Sequence, residues 1–378
     1  MNILADENIP QVKEAFSNFG EVRLSHGRHI TGEMLRDTDV LIVRSITDVN
    51  RNLLDGSNIK FVGTATIGTD HIDKEYLRSR VIYFADAAGC NSYSVAEYVI
   101  RAVAKIFTEE KKSFVGKTFG IVGYGNIGTK VAVFARALGF ETVINDPPLE
   151  RKLGKENFRS LSDALQCDVV TFHVPLNKSG IDKTVHLLNE KNIAEIKSGA
   201  LLINTSRGPV IKNSVLKKRL LENRNIRTVL DVWENEPVID TELLGLVDIA
   251  SAHIAGYSLE GKLNGTLFIY NKFCGFMNCK PEWKPDYPQI EEPEIAPDKI
   301  DGLEELIDEI TGKVYDISLD TELIKKIIAI NPEERGRQFD QLRKTYRIRR
   351  EFNNYSVKSK DLNNTMANVL TTLRFRLT

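Results

Sequence analysis

The chain has 378 residues, 42% hydrophobic and 27% charged, with a formal net charge of −1 at pH 7. That length suits two or three domains with sizeable cores, and the near-neutral balance excludes the cationic excess needed to hold nucleic acid or an anionic membrane surface. Four scattered cysteines, Cys90, Cys167, Cys274 and Cys279, have neither zinc nor Cys-x-x-Cys spacing and read as reduced thiols, with no metal expected.

The opening residues Met1-Asn2-Ile3-Leu4-Ala5-Asp6-Glu7 lack the basic start and long apolar run of a signal peptide, which predicts a cytoplasmic protein. Short apolar runs at residues 3–5, 40–43, 61–63 and 81–84 alternate with helix-like stretches, the rhythm of a parallel sheet covered on both faces. A helix is expected over 92–107. Although apolar, it is interrupted by Glu97, Arg101 and Lys105, so it is no membrane span. The strand rhythm resumes at 119–122, 142–144, 169–172, 201–204, 228–230 and 248–250, and a second long helix over 258–276 would return the chain to the first unit. The pattern predicts two doubly wound α/β domains, residues 1–92 with about 257–280, and residues 93–256. Five of the 12 prolines fall between 281 and 297, which reads as an extended linker or strap. Residues 298–378 form a third region, acidic at Asp298, Asp301, Glu304, Glu305, Asp308 and Glu309, then basic at Arg343, Lys344, Arg347, Arg349 and Arg350. It is expected as a small α+β domain, marginal alone and stabilised by pairing with a copy of itself.

After the run 119–122 comes Gly123-Tyr124-Gly125-Asn126-Ile127-Gly128, followed by a helical pattern. The first glycine suits a positive-φ turn, the second a close approach to a pyrophosphate, and the third close packing of helix on strand. The phosphates would meet the free N–H groups of the helix start, beside Asn126 and Ile127. Alone the motif is weak, since a composition of 25 glycines in 378 residues gives roughly 0.1 chance matches. Context strengthens it. A second strand ends at Asp146, 18 residues past the last glycine, where a carboxylate would accept from both ribose hydroxyls and repel a 2′-phosphate, favouring NAD over NADP.

Three polar residues stand beyond later strands, where open parallel sheets place their ligand crevice. Arg207, in Asn204-Thr205-Ser206-Arg207-Gly208, offers two N–H donors to a 2-hydroxy or 2-oxo carboxylate. Glu236 precedes Pro237, and His253 lies in Ser251-Ala252-His253-Ile254-Ala255-Gly256. Oxidation of a hydroxy acid by hydride transfer needs a base for the hydroxyl proton, and a histidine oriented by a carboxylate supplies one. Taken singly, each has a structural reading: an ion pair, a turn acid, a packed histidine. Their order behind a dinucleotide loop favours chemistry. His173 is expected to line the cofactor crevice, His71 and Asp73 to begin and cap a helix, and His26, His29 and His186 to be superficial.

Together, the glycine loop with Asp146, Asn204 to Gly208, Asp231-Val232-Trp233 with Glu236-Pro237, and His253-Ile254-Ala255-Gly256 resemble signatures of the D-isomer-specific 2-hydroxyacid dehydrogenases, over roughly residues 35–275. The resemblance implies two Rossmann/flavodoxin-like domains, residues 1–92 with about 257–280 as a substrate-binding lid and 93–256 as the NAD-binding domain, with NAD as cofactor and Arg207, Glu236 and His253 as the catalytic set. A narrower similarity spans nearly the whole chain. It rests on Ala5-Asp6-Glu7-Asn8-Ile9-Pro10, Val43-Arg44-Ser45-Ile46-Thr47, residues 63–71, Asn145-Asp146-Pro147-Pro148, and a tail with Tyr346 and Arg349-Arg350-Glu351-Phe352. It points to the branch of that family that oxidises 4-phospho-D-erythronate with NAD in pyridoxal phosphate synthesis, as a homodimer held by the C-terminal domain. It implies substrate contacts at Ser45, Thr66 and Tyr257, and places Thr205, Ser206, Asp231 and Gly256 near the cofactor. The substrate phosphate calls for cations, with Arg44 a candidate and the tail arginines Arg349 and Arg350 further ones across a dimer. D-glycerate or 3-phosphoglycerate as substrate, and an NAD-sensing dimeric binding protein, are the alternatives.

Overall fold

The computed structural model describes residues 1–154, 157–298 and 302–378. Asp301 of the acidic run lies outside the described residues. The chain divides into two compact units, Met1–Asn91 with Ser258–Gln289, and Ser92–Tyr257 with Ile290–Thr378.

The first unit holds a parallel sheet of β1 (Asn2–Asp6), β2 (Glu21–Ser25), β3 (Val40–Val43), β4 (Phe61–Thr64) and β5 (Tyr83–Asp86), in the order β2-β1-β3-β4-β5. The central strands β3 and β4 are buried throughout, which is why they read as continuous apolar runs. Strand β2, Glu-Val-Arg-Leu-Ser at a sheet edge and half-exposed, carries no such run and escaped the sequence reading. The run expected at 81–84 starts later, at Tyr83, because Val81 sits in a turn with φ 56°. The helix Leu259–Phe276, capped by Ser258, lays Ile269, Tyr270 and Phe273 on this sheet; the Phe61 and Phe273 rings meet at 5.0 Å. The start of the proline-rich segment is tied to the same unit, where the Glu282 and Trp283 N–H groups donate to the Tyr270 hydroxyl and Gln11 exchanges hydrogen bonds with the Asp286 backbone.

The second unit holds β6 (Thr118–Val122), β7 (Glu141–Asn145), β8 (Val169–Phe172), β9 (Leu201–Asn204), β10 (Arg227–Leu230) and β11 (Ile249–Ala250), all parallel, in the order β11-β10-β9-β8-β6-β7. The strand order reverses between β6 and β8, the switch point at which such sheets bind ligands.

The tail beyond Ile290 adds four main helices, Leu303–Val314, Ile317–Lys325, Pro332–Lys344 and Asn364–Thr372. It also contributes a short parallel sheet of β12 (Glu294–Ile295), β13 (Ser356–Val357) and β14 (Arg376–Leu377). This C-terminal domain shares its core with the nucleotide-binding sheet: Leu306, Ile307 and Ile310 lie in one cluster with Val99, Val103 and Phe107 of the Ser92–Glu109 helix. That sharing explains the charged residues in an otherwise apolar helix. Arg101 pairs with Asp308 and donates to the Tyr315 carbonyl, while Glu97 accepts from the Phe352 N–H and pairs with Arg374. Burying a charge is tolerated only with such partners.

Candidate active site

The register of the second sheet aligns the ends of its strands. Val122 lies opposite Asn145 and Phe172, Phe172 opposite Asn204, Asn204 opposite Leu230, and Leu230 opposite Ala250. Every strand is parallel, so the residues that follow, Gly123, Asp146, His173, Thr205, Asp231 and Ser251, emerge along one edge. One sheet edge thereby gathers residues spread over more than a hundred positions.

At β6 the glycine loop takes the form its sequence requires. Gly123 has φ 96°, and a side chain there would stand 2.5 Å from the His173 carbonyl oxygen. A Cβ on Gly128, the first residue of the helix Gly128–Ala137, would overlap the Gly123 carbonyl. Gly125 differs: a Cβ there meets no protein atom within 4 Å, so the protein's own packing does not demand glycine at this exposed tip. Asn126 beside it gives its carbonyl to Lys130 Nζ at 3.0 Å, and Ile127 lies in helical conformation just ahead of the helix. Asp146 binds this loop to the next strand, one carboxylate oxygen accepting from the Tyr124 N–H at 2.7 Å and the other capping the helix Pro147–Leu153 through the Leu149 N–H. His173 is hydrogen-bonded to Thr171 at 3.0 Å; burial pushes its pKa down to about 3, so it is a neutral imidazole. Thr205 approaches its other nitrogen at 3.4 Å.

Asn204 builds the turn that carries Arg207. Its side-chain oxygen accepts from the Ser206 N–H and hydroxyl, and its amide donates to the Arg207 carbonyl. Gly208 lets this turn pass against the Trp233 backbone, which a Cβ would penetrate. Arg207 Nη1 donates to the Ser206 carbonyl at 2.7 Å, with the side chain half-buried.

Glu236 and His253 meet directly. Nδ1 of His253 stands 2.7 Å from Glu236 Oε2, while Glu236 Oε1 accepts from the Trp233 N–H at 2.8 Å. The His253 side chain is 31% exposed and that of Glu236 20%, sheltered yet reachable. Burial works to raise the Glu236 carboxyl, but His253, the Trp233 N–H and Arg343 outweigh it and hold the pKa below its usual value. His253 itself has φ 57°, a left-handed conformation that costs a non-glycine residue on the order of 1 kcal/mol or more. The strain is held in place by Asp231. That carboxylate, 1% exposed, accepts from the Ile254 N–H at 2.7 Å, the Ala255 N–H at 2.9 Å and the Ser251 hydroxyl at 2.5 Å, and the Asp231 carbonyl takes the His253 N–H. Tyr98 completes the network through Ser251. Asp231, marked in the sequence for proximity to cofactor, braces the histidine loop. Gly256 follows that loop, and Tyr257 receives a hydrogen bond from Arg343 at 3.0 Å.

The remaining candidates belong to the first unit. Arg44 and Ser45 follow β3, and Thr66 follows β4, its hydroxyl on the Gly68 carbonyl and near Thr64. Arg44 is an ion-pair partner of the fully buried Asp6 at 3.0 Å, so part of its charge is already matched. His71 lies ahead of the helix Lys74–Ser79, on Thr64, and Asp73 is that helix's N-cap. His186 is less superficial than its sequence suggests, at 2.6 Å from Glu234. Arg349 and Arg350 are buried in their own chain: Arg349 donates to the Ala255 and Ser94 carbonyls and Arg350 to Asn354, which corrects the idea that they reach out to a partner's substrate. Among the described residues there is no metal-binding cluster of His, Cys, Asp or Glu, and no helix is long and apolar enough to cross a membrane.

This arrangement is that of an NAD-dependent dehydrogenase of D-2-hydroxy acids. Residues 94–255 match the D-isomer specific 2-hydroxyacid dehydrogenase NAD binding domain, and residues 288–373 match a family described only as a domain of unknown function. Solved structures share the fold: an NAD⁺-bound 3-phosphoglycerate dehydrogenase from Entamoeba histolytica (TM-score 0.62, 23% identity, covering 74% of this chain and 95% of that one) and a D-lactate dehydrogenase from Aquifex aeolicus with NAD and lactic acid (TM-score 0.60, 24% identity, 73% and 96%). Full-length relatives are closer in sequence. The erythronate-4-phosphate dehydrogenase of Proteus mirabilis is 42% identical over all of both chains, and that of Cronobacter sakazakii 41% identical over 96% of this chain and 95% of its own. The chain therefore belongs to the erythronate-4-phosphate dehydrogenase family, within the D-isomer specific 2-hydroxyacid dehydrogenases.

Proposed function

We propose that the protein oxidises 4-phospho-D-erythronate to 2-oxo-3-hydroxy-4-phosphobutanoate, a step toward pyridoxal phosphate, with His253 as acid–base, Glu236 as its orienting partner and Arg207 as the carboxylate-binding residue. The observation that carries this reading is the 2.7 Å contact between His253 Nδ1 and Glu236 Oε2 at the edge that also presents the glycine loop and Arg207. NAD, held by residues of that edge, would supply the hydride acceptor. The residues fit it: Gly125 is free of protein contacts on the side where its Cβ would stand, and Asp146, tied to the glycine loop through the Tyr124 N–H, is a carboxylate that would accept from ribose hydroxyls. With Thr205, Ser206 and Gly256 at the same edge, these residues would hold the dinucleotide, its phosphates near Asn126 and Ile127.

Because Nδ1 faces a carboxylate, the ring carries its proton there and turns Nε2 to the substrate hydroxyl. His253 Nε2 takes that proton as C2 loses hydride, and Glu236 stabilises the resulting imidazolium. Arg207 holds the C1 carboxylate with two N–H donors and polarises the C2 oxygen. Ser45, Thr66 and Tyr257 provide hydroxyls toward the substrate, with Arg44 a cation of the first unit. The C-terminal domain is proposed to join two copies into a homodimer.

Replacing His253 by Ala is expected to lower kcat by roughly 10²–10⁴ while leaving NADH binding, followed by fluorescence, in place. A variant of wild-type activity would remove His253 from the mechanism.

A further inference from the structure

One helix of the C-terminal domain runs to the site. Pro332–Lys344 begins at its N-cap Asn331, buries Phe339 completely among residues of the nucleotide-binding unit, and ties Arg335 to Thr241 at 3.1 Å. Gly336 faces the turn after Glu236: a Cβ there would stand 3.1 Å from Val238 Cγ2 and 3.4 Å from Pro237 Cγ. Seven residues on, hence two turns along the same face, is Arg343. Its Nη2 donates to the Tyr257 hydroxyl at 3.0 Å, and its guanidinium carbon lies 5.7 Å from the Tyr257 ring centre.

The setting of this arginine differs from that of other arginines in the chain. Arg44 is matched by Asp6, Arg347 by Asp320, and Arg374 by Glu97 and Glu351. Among the described residues no carboxylate forms an ion pair with Arg343; Glu236 and Asp340 act on it only at longer range, and its Nε is buried without a hydrogen-bond partner. The guanidinium thus holds more charge and donor capacity than the surrounding protein uses. It also lies outside the dehydrogenase domain at 94–255, within the segment 288–373.

We propose that Arg343, contributed by the C-terminal domain, is a specificity-determining residue of this site, anchoring Tyr257 and selecting a hydroxy acid that carries a phosphate over its unphosphorylated counterpart. A phosphate dianion is a strong acceptor for a guanidinium beside a hydroxyl. This rests on the reading of the substrate given above.

The test compares kcat/KM for 4-phospho-D-erythronate and for D-erythronate in the wild-type enzyme, Arg343→Gln, Arg343→Lys and Tyr257→Phe, with NADH binding as the check on folding. Arg343→Gln is expected to shrink the preference for the phosphorylated acid at least tenfold, chiefly through its KM, and Arg343→Lys to retain part of it. If Arg343→Gln fails to bind NADH, Arg343→Lys carries the test, and a wild-type KM in that variant overturns the proposal. An unchanged preference in Arg343→Gln, with both substrates affected alike, overturns the assignment of Arg343 alone. A wild-type enzyme that shows no preference for the phosphorylated acid overturns both the assignment and the substrate reading.

Discussion

The histidine at the centre of the site is held by two carboxylates with different tasks. Glu236 faces the ring, while Asp231 lies beneath the backbone and accepts from Ile254, Ala255 and Ser251. Glu236 titrates below the usual 4.5, the combined pull of His253, the Trp233 N–H and Arg343 outweighing its burial. A depressed carboxylate stabilises the fold above its unfolded pKa and loses that contribution as pH falls through the folded value. Glu236→Gln should therefore cost about 1–2 kcal/mol in urea denaturation at pH 7, and the difference from wild type should shrink as pH drops below 4.5. A difference that grows on acidification would show that Glu236 is not held as the carboxylate. Asp231→Asn, which cannot serve all three donors as an anion does, should lower kcat by about tenfold or more without a matching rise in the KM for NAD, since the misplaced group is the histidine. These roles divide by legibility. The Glu236–His253 pairing was readable from residue types and order, whereas the bracing by Asp231 and Ser251 depends on side chains converging across β10 and β11, which no local pattern records.

The glycine turn and the helix after it were readable because each glycine answers a backbone demand. Gly123 at φ 96° and Gly128 against the Gly123 carbonyl are required by the fold, while Gly125 is not. Gly123→Ala should destabilise the protein by about 1–3 kcal/mol or more, and Gly125→Ala should leave the melting temperature within about 1 °C while weakening NADH binding at least tenfold. Equal thermal losses in both would refute the distinction. The buried strands β3, β4, β8 and β9 were equally plain, as apolar runs bounded by turns. Strand β2 was hidden because an edge strand buries too little, and the late start of β5 because the left-handed turn at Val81 has no signature in a β-branched residue.

The C-terminal domain was expected to be marginal alone, with its remedy in a second copy. Within one chain it is already stabilised by the core it shares with the Ser92–Glu109 helix, and that sharing was not legible, because contacts such as Glu304 on the Phe114 N–H, 190 positions apart, leave no periodic trace. Truncating Ile310 to Ala should cost about 2–5 kcal/mol and lower the single melting transition of the second unit as a whole, as seen by calorimetry; a separate transition for the tail would contradict the shared core. The acidic and basic stretches are spent on pairs such as Arg101 with Asp308 and Arg347 with Asp320, and Arg343 is left to face the site. The most direct test of the account is NADH formation by the purified protein with 4-phospho-D-erythronate, D-3-phosphoglycerate and D-glycerate side by side, with His253→Ala as control. A clear preference for phosphoerythronate that the variant loses is expected, and turnover of another acid in preference, or none with NAD bound, would contradict the assignment.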